Sequence, residues 1–442
     1  MGKASSALPQ DDRKTMLASQ PSPLITSRWF PIDNASNLYA LARRRRWNRV
    51  FRVAAVLDEP IDSDLMQQAL TDAAKRFPSL CAKLRDGFFW CYLERTDETP
   101  LLKEEDALPF RPVPLTRTNQ PNFRVQYYGC RISLEMFHAI ADAPGSFQFL
   151  ASIITRYYEL QGAEVADYKA AFNCADSPTA LETTDPYFET AVDCKARNPK
   201  QLETYYLREP SKKRYARVTH GVMHVSDLKA AAKPYGVTIT EYLSAVIIKS
   251  YLDRAASPVT KPIRVSIPVN LRRRFDIASA RNFVYMFDIG FDPKGRTDVT
   301  FAEICAALKG QLQKKTEKEN ILAEISANVS AQKNPLSRRV PQPLKRLVLK
   351  NNYKKSQLSF TTFLSNYGVL ELPDSVAPHV RRAEFVLGDT PYQPLGFACA
   401  SIGDVLTLSV NANTPDMTMA RLVFRFLTAA GVPVYIESNF HE

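Results

Sequence analysis

The feature that most constrains this 442-residue chain is a strand that leads directly into a helix between residues 123 and 160. Apolar and polar residues alternate up to Phe137, which predicts a strand with one buried face. Apolar residues then recur at intervals of three and four, which predicts an amphipathic helix from about Ser146 to Leu160. The repeating positions are Ile132, Leu134 and Met136 in the strand, then Phe147, Leu150, Ala151, Ile154 and Tyr158 in the helix. His138 and Asp142 therefore fall in the connection between the two elements.

Helix-like and strand-like segments are interleaved along the rest of the chain, so the pattern predicts an α/β protein with mixed sheets. A helix is predicted at about 62–77, and Thr238 with Glu241 forms a capping-box pattern that predicts the start of another helix. Residues 300–355 are predicted to be helical and basic.

The polar, proline-interrupted stretch 163–215 lacks periodicity, which indicates a crossover between two halves of the chain. We therefore predict a disordered tail over residues 1–27, an N-terminal subdomain over 28–200 and a C-terminal subdomain over 201–442. The chain length of 442 residues is also consistent with two or three domains of ordinary size.

The composition favours a folded cytoplasmic protein. Hydrophobic residues make up 45% of the chain and charged residues 24%, which is enough apolar material for a packed core. The seven cysteines include no Cys-x-x-Cys pair, which argues against a disulfide framework or a zinc site. No apolar run reaches the roughly 20 residues of a membrane-spanning helix. Residues 1–27 lack the apolar segment of a secretion signal, so we expect a cytoplasmic location.

The net charge of +12 leaves several kinds of partner open. No helix-turn-helix, zinc-finger or RNA-binding pattern is present, so nucleic acid is not an expected partner. Basic residues concentrate between Lys309 and Lys355. The alternatives for this run are a site for a phosphorylated small molecule, peripheral contact with an anionic membrane, and a solvated helix face.

His138 and Asp142 are the candidates for chemistry. An imidazole suits a general base because its ordinary pKa, about 6.5, lies near working pH. A carboxylate four residues later can hold the ring or its loop in shape. The alternative is a surface-loop histidine beside a helix-capping aspartate. Because His138 follows a regular strand and precedes a regular helix, we favour the catalytic interpretation.

The segment Phe137-His138-Ala-Ile-Ala-Asp142 resembles the His-His-x-x-x-Asp-Gly signature of the CoA-dependent acyltransferase superfamily. Within that superfamily it is most similar to bacterial alcohol-acetyltransferase-like and condensation-domain-like proteins. Other segments resemble the family in the same order along the chain. They are Lys75–Arg85 with Gly87–Trp90, Ile267–Arg272 with Arg281–Phe283, and Ser365–Val369 with Glu371–Pro373.

This resemblance implies two chloramphenicol-acetyltransferase-like subdomains with a tunnel between them. It implies that His138 is the general base and that Asp142 is structural, paired with an arginine of the other subdomain. Arg272 is the candidate partner, with Arg273 and Arg274 as rivals and three solvated arginines as the alternative. Asn366 or Ser365 is the candidate donor to the oxyanion, unless both are simply turn residues.

The motif departs from the family pattern at three positions. Phe137 replaces the first histidine, Ala143 stands where the family has glycine, and Gly145 follows two residues late, after Pro144. A methyl group at Ala143 would narrow the approach of a substrate to the imidazole ring. These departures leave the level of activity open.

The predicted function is transfer of an acyl group, acetyl or longer, from CoA to an alcohol-like acceptor. Acyl-CoA would be a co-substrate, with no permanently bound cofactor and no metal. His220 and His224 do not suggest a metal site, because four residues of strand separate them by about 13 Å. The alternatives are a condensation-like protein that uses a carrier-bound acyl donor, and a non-catalytic relative that binds acyl thioesters or lipids.

Overall fold

The structure is a computed structural model. It describes residues 10–43, 49–105, 109–111, 113, 115, 119–192, 202–207, 217–334, 339–388, 390 and 392–440.

Helices pack around the sheets along the whole described chain. They are α1 (Gln10–Ser19), α2 (Asn34–Ala42), α3 (Ser63–Arg76), α4 (Ala143–Leu160), α5 (Ala180–Thr183), α6 (Pro186–Thr190), α7 (Val225–Ala232), α8 (Ile239–Arg254), α9 (Arg272–Phe275), α10 (Phe301–Leu308), α11 (Gln311–Lys315), α12 (Lys318–Lys333), α13 (Gln342–Gln357) and α14 (Thr418–Ala429).

Three sheets of three, five and seven strands account for the named strands, in the orders β1-β4-β3, β12-β2-β7-β6-β5 and β10-β9-β11-β13-β14-β8-β15. The strands are β1 (Trp29–Pro31), β2 (Val50–Leu57), β3 (Ala82–Asp86), β4 (Cys91–Arg95), β5 (Leu102–Glu104), β6 (Phe123–Tyr128), β7 (Arg131–Phe137), β8 (Arg217–His224), β9 (Ile263–Asn270), β10 (Val284–Phe291), β11 (Thr362–Val369), β12 (Val380–Val386), β13 (Leu395–Ile402), β14 (Val405–Ala412) and β15 (Tyr435–Ser438).

The predicted strand-to-helix junction is confirmed and forms the centre of the five-stranded sheet. Strand β7 pairs antiparallel with β2, so that Phe137 lies opposite Val50 at the end of the strand. Helices α3 and α4 pack together beside this sheet, with the rings of Phe77 and Phe149 5.1 Å apart. Helix α3 lies within the predicted range 62–77, and the Asp62 carboxylate caps it by accepting from the amides of Asp64 and Leu65.

The seven-stranded sheet holds most of the second half of the chain. Strand β11 runs parallel to both of its neighbours, and the other pairs are antiparallel. Helix α8 begins with the predicted capping box, in which Thr238 and Glu241 each satisfy the other's backbone amide. The mixed α/β class predicted from the sequence is therefore confirmed.

One strand does not follow the predicted division of the chain at residue 200. Strand β12, from the second half, pairs antiparallel with β2 and forms an edge of the N-terminal sheet. Strand β13 also contributes Ala398 and Ala400 to the apolar core of that sheet. The C-terminal half therefore completes the N-terminal sheet and contributes residues to its apolar core.

The N-terminal segment differs from the predicted disordered tail. Residues 1–9 lie outside the described part of the chain, but α1 follows at once and docks on the body of the protein. Lys14 donates to the carbonyl of Phe275 at 2.5 Å, and the hydroxyls of Ser22 and Thr183 lie 2.8 Å apart. Few residues of α1 are apolar, so the sequence shows no amphipathic pattern there. The segment is held by these polar contacts and by Leu17, which packs on the core.

None of the helices in the described part of the chain is long and apolar enough to cross a membrane. The described cysteines Cys81, Cys91, Cys130, Cys174, Cys305 and Cys399 are free thiols. The seventh cysteine, Cys194, lies outside the described residues.

Candidate active site

A cavity of about 760 Å³ lies where the two large sheets approach each other. Its wall combines His138 and Asp142 from the first half of the chain with Ser365 and Asn366 from the second. Strands β9 and β10 supply further wall residues, and the last two turns of α13 close another side. The predicted site residues from both halves therefore reach one cavity, and Arg272, which does not line it, binds Asp142 in its wall.

The imidazole of His138 is held by aromatic rings and by the backbone. The His138 amide donates to the carbonyl of Arg49 at 2.9 Å, which fixes the chain just beyond β7. The ring stacks on Tyr39, with centroids 3.9 Å apart, and meets the ring of Phe51 edge-on at 5.0 Å. These contacts leave the ring little rotational freedom, which is what a positioned base requires.

Asn282 decides which nitrogen of His138 carries the proton. Its side chain is fully buried, and its Nδ2 faces the Asp33 carboxylate at 3.3 Å and the His138 carbonyl at 3.1 Å. Both of these groups are acceptors, so the amide nitrogen must point toward them. The amide oxygen Oδ1 is then left facing Nδ1 of His138 at 3.2 Å. Because an oxygen only accepts, Nδ1 carries the hydrogen and Nε2 keeps its lone pair.

The surroundings of the ring also favour its neutral form. Burial lowers the pKa of the His138 imidazole below its ordinary 6.5, while the Asp142 carboxylate and the Asn282 hydrogen bond oppose this shift. The imidazole is therefore neutral at neutral pH. The ring lines the cavity, and no described residue forms a hydrogen bond with its Nε2.

Asp142 has a structural position and is nearly inaccessible to solvent. Its carboxylate caps α4 by accepting from the Gly145 amide at 3.0 Å, and it accepts from the Phe283 amide at 2.7 Å. Arg272 binds it in a bidentate pair at 3.0 and 2.8 Å. This one carboxylate therefore joins the start of α4 to two segments of the second half of the chain.

Of the three candidate arginines, the structure brings only Arg272 to Asp142. The Arg273 side chain is 87% exposed and lies 3.5 Å from Glu371. The Arg274 guanidinium donates to the hydroxyl of Thr316 at 3.0 Å.

The two candidate oxyanion donors differ in their surroundings. The Asn366 amide donates to the Thr240 hydroxyl at 3.0 Å and accepts from the Gly368 amide at 2.9 Å, within an irregular part of β11. Both the nitrogen and the oxygen of this amide are thus hydrogen-bonded within the protein, as expected for a turn residue. Ser365 lines the cavity without such an arrangement around it and stays the candidate donor.

Arg49 is a cavity residue that the sequence did not single out. Its φ angle is +58°, a left-handed conformation that is uncommon for residues other than glycine. Its guanidinium lies over the Tyr353 ring at 4.4 Å, and its buried Nε has no hydrogen-bond partner within the described chain. A strained backbone with a half-buried cation next to His138 is typical of functional sites.

The far wall of the cavity carries unpaired amide oxygens. Asn411 and Gln357 are both buried, and neither Oδ1 of the first nor Oε1 of the second has a hydrogen-bond partner among the described residues. Both residues line the cavity. Buried polar atoms without partners are costly, so this wall suits a ligand that brings its own hydrogen-bond donors.

Gly145, which stands two positions after the place of the family's motif glycine, has a packing role. A methyl group on Gly145 would lie 1.9 Å from the carbonyl oxygen of Ala280, so only glycine allows α4 to approach that segment. Ala143 and Pro144 form the first residues of the same helix and line the cavity.

We expect Gly145→Ala to lower the free energy of unfolding by about 1–3 kcal/mol, because the new methyl group must displace the Ala280 backbone. A thermal melt measures this effect. Ser146→Ala is the matched control, since it removes a buried hydroxyl that has no partner in the described chain and should change the melting temperature little. Equal melting temperatures for Gly145→Ala and the wild type would contradict the close packing.

No protein-family model matches the sequence, and no curated protein matches it by sequence comparison. Solved structures do match, over most of their length. The TRI3 trichothecene 15-O-acetyltransferase from Fusarium sporotrichioides is 12% identical, with a TM-score of 0.58 over 97% of this chain and 100% of that one.

Two further structures show the range of these matches. TRI101 of F. graminearum, complexed with coenzyme A and T-2 mycotoxin, is 10% identical, with a TM-score of 0.61 over 93% of this chain and all of the other. The condensation domain of the monacolin K polyketide synthase MokA is 10% identical, with a TM-score of 0.54 over 91% of this chain and 96% of that domain. The chain therefore has the fold that these acetyltransferase and condensation-domain structures share, as the sequence resemblance predicted.

Proposed function

We propose that the protein is an acyltransferase that moves an acyl group from CoA to an alcohol-like acceptor, with His138 as general base. The observation that carries this proposal is the imidazole itself. Asn282 holds a hydrogen on Nδ1, and burial keeps the ring neutral at a cavity wall. The proposal is also supported by the fold, because structures with this fold include an O-acetyltransferase and a complex with coenzyme A.

In the proposed reaction, Nε2 of His138 removes the proton of the acceptor hydroxyl as its oxygen attacks the thioester carbonyl. The carbonyl π electrons move to oxygen, and Ser365 is the proposed donor to this oxyanion. When the tetrahedral intermediate collapses, the carbon–sulfur bond breaks. The proton on the imidazolium is then transferred to the departing thiolate, which leaves as free CoA. His138 returns to its neutral form, and no cofactor or metal takes part.

Asp142 and Arg272 have a positioning role in this proposal. They do not touch the reacting atoms but tie the loop that carries His138 to the second half of the chain. The unpaired oxygens of Asn411 and Gln357 suggest that the acceptor carries further hydroxyl or amine groups. These groups would satisfy the cavity wall and orient the reacting hydroxyl.

The proposal is tested by release of thiol from acetyl-CoA and longer acyl-CoAs in the presence of a panel of alcohols, diols and amines. We expect release that depends on the acceptor and yields the acylated product by mass spectrometry. Saturable binding of acyl-CoA without turnover, for every acceptor tried, would instead assign the chain to the non-catalytic relatives.

A second candidate function is condensation with a carrier-bound acyl donor. It is favoured by the match to the MokA condensation domain. Comparing acetyl-CoA with the same acyl group on a phosphopantetheinylated carrier protein separates the two. Turnover with the carrier-bound donor alone would favour this second function.

The pH dependence of kcat/KM is expected to reflect His138. Because the neutral imidazole is the active form, kcat/KM should rise with pH through the His138 pKa, which burial places below 6.5. Asn282→Asp puts a carboxylate beside Nδ1, which stabilises the imidazolium, so the rising limb should move to higher pH. Ser36→Ala is the control, because the Ser36 hydroxyl accepts from the Asn282 amide nitrogen at 3.1 Å and forms no hydrogen bond with the imidazole. An unchanged profile in Asn282→Asp would show that this contact does not tune the base.

A further inference from the structure

The tip of the β3–β4 hairpin and the first turns of the basic helix α13 together form an exposed apolar surface. The tip of the β3–β4 hairpin presents Phe88, Phe89 and Trp90, of which Phe88 is 70% and Trp90 61% exposed. The first turns of α13 present Leu344, Leu347 and Val348, each also exposed. We call these six residues the apolar tip. Large aromatic residues rarely face water in a contiguous group unless the group has a binding role.

Direct contacts join the two parts of the apolar tip. The Gln342 amide donates to the Phe88 carbonyl at 2.9 Å, and the Lys345 ammonium donates to the Phe89 carbonyl at 2.8 Å. Arg346 binds Asp86 at the base of the hairpin at 2.7 Å. The hairpin and the helix therefore form one surface with fixed geometry.

The exposed apolar positions of α13 follow helical spacing. Residues 344, 347 and 348 lie on the outer side, while Gln342, Tyr353 and Gln357 are buried on the inner side. A helix with an apolar outer side toward solvent is the reverse of the ordinary arrangement, in which the apolar side faces the core. The outer side of α13 therefore needs an apolar partner.

The charge beside the apolar tip points to the identity of that partner. Helix α13 contains five basic residues and no acidic residue: Lys345, Arg346, Lys350, Lys354 and Lys355. The sequence has no Asp or Glu between Glu324 and Glu371. The carboxylate at the base of the hairpin, Asp86, is paired with both Arg43 and Arg346. An anionic surface with an apolar interior complements both properties.

We propose that the apolar tip and the basic residues of α13 form a docking surface for an anionic lipid membrane. Phe88 and Trp90 insert at the level of the headgroups, where aromatic side chains are favoured, and Lys350 and Lys354 face anionic headgroups. The contact is peripheral, in keeping with the absence of a spanning helix among the described residues. The C-terminal turns of α13 line the cavity, so docking brings the cavity close to the lipid surface.

Co-sedimentation with vesicles tests this proposal without reference to catalysis. We expect the wild-type chain to bind phosphatidylcholine vesicles that contain phosphatidylserine, with weaker binding to phosphatidylcholine alone and at high salt. The double variant Phe88→Ser/Trp90→Ser should bind about tenfold or more weakly, because two large apolar side chains no longer leave water. Tyr435→Ser is the control, since Tyr435 is 65% exposed on β15 at the edge of the seven-stranded sheet.

A second pair of variants tests the charge. Lys350→Glu/Lys354→Glu should weaken binding to anionic vesicles about tenfold or more, whereas Lys229→Glu/Lys233→Glu makes the same change in net charge on and just after α7 and should bind as the wild type does. The proposal is overturned if the wild-type chain ignores anionic vesicles, or if test and control variants weaken binding equally. Binding of an acidic carrier protein through these residues, with no vesicle binding, would assign the surface to a protein and also overturn the proposal.

Discussion

Replacing His138 with alanine is expected to lower the rate of acceptor-dependent thiol release by about 10²–10⁴-fold, the range that a positioned general base contributes. The reason is that no other described side chain presents a neutral imidazole to the cavity. The fall should appear in kcat more than in KM, because proton removal is needed only in the transition state. Steady-state kinetics with a saturating acyl-CoA measures both parameters.

His224→Ala is the matched control for this loss. His224 is an exposed histidine at the end of β8, 3.3 Å from Asp404, and it has no contact with the cavity. Its replacement should leave the rate and the melting temperature unchanged. A His138→Ala variant with the activity of the His224→Ala variant would remove His138 from the mechanism.

Replacing Arg272 with alanine is expected to lower the free energy of unfolding by about 3–5 kcal/mol. The Asp142 carboxylate would then be buried without its partner, and the loss of the bidentate pair would also free the loop that holds His138. At about 2.1 cal/mol/K of unfolding entropy per residue, this corresponds to a melting temperature lower by about 3–5 °C. We also expect a lower kcat, because the imidazole would lose its fixed position.

The neighbouring residue provides the control for Arg272→Ala. Arg273 is exposed and makes one long contact with Glu371, and exposed ion pairs contribute little to stability. Arg273→Ala should therefore melt within about 1 °C of the wild type, since the expected change is at most about 1 kcal/mol. Similar losses in the two variants would show that the Asp142–Arg272 pair does not hold the two halves together.

Elements with a regular apolar spacing could be predicted from the sequence. Strand β7 and helices α3 and α4 show this periodicity because the apolar side of each packs on the core. The prediction that only one face of β7 is buried was wrong, because Ser133 and Glu135 on its polar face are buried as well, where Glu135 pairs with Arg52. Helix α1 could not be predicted, because few of its residues are apolar. It is held by polar contacts such as that of Lys14 with the Phe275 carbonyl, together with Leu17 against the core. The pairing of β12 with β2 was also missed, since residues more than 300 positions apart leave no pattern in one sequence.

The candidate site was predicted in part, and the reason lies in local sequence. His138 and Asp142 stand four residues apart at a strand-to-helix junction, so the sequence itself places them together. The contact between His138 and Asn282 spans 144 residues, and no spacing rule indicates it. The segment Arg281–Phe283 did resemble the family, but that resemblance gave Asn282 no role. Arg49 carries no sequence signal, since its importance comes from its backbone conformation and from the position of its half-buried guanidinium over the Tyr353 ring.

The tautomer and pKa of His138 test the central claim most directly. Nitrogen-15 labelling of the five histidines, with His138→Ala to assign the signal, allows both to be measured by NMR across a pH titration. We predict a hydrogen on Nδ1, a bare Nε2 and a pKa below 6.5. A hydrogen on Nε2 at neutral pH, or a pKa above 6.5, would contradict the assignment of His138 as the base that faces the cavity.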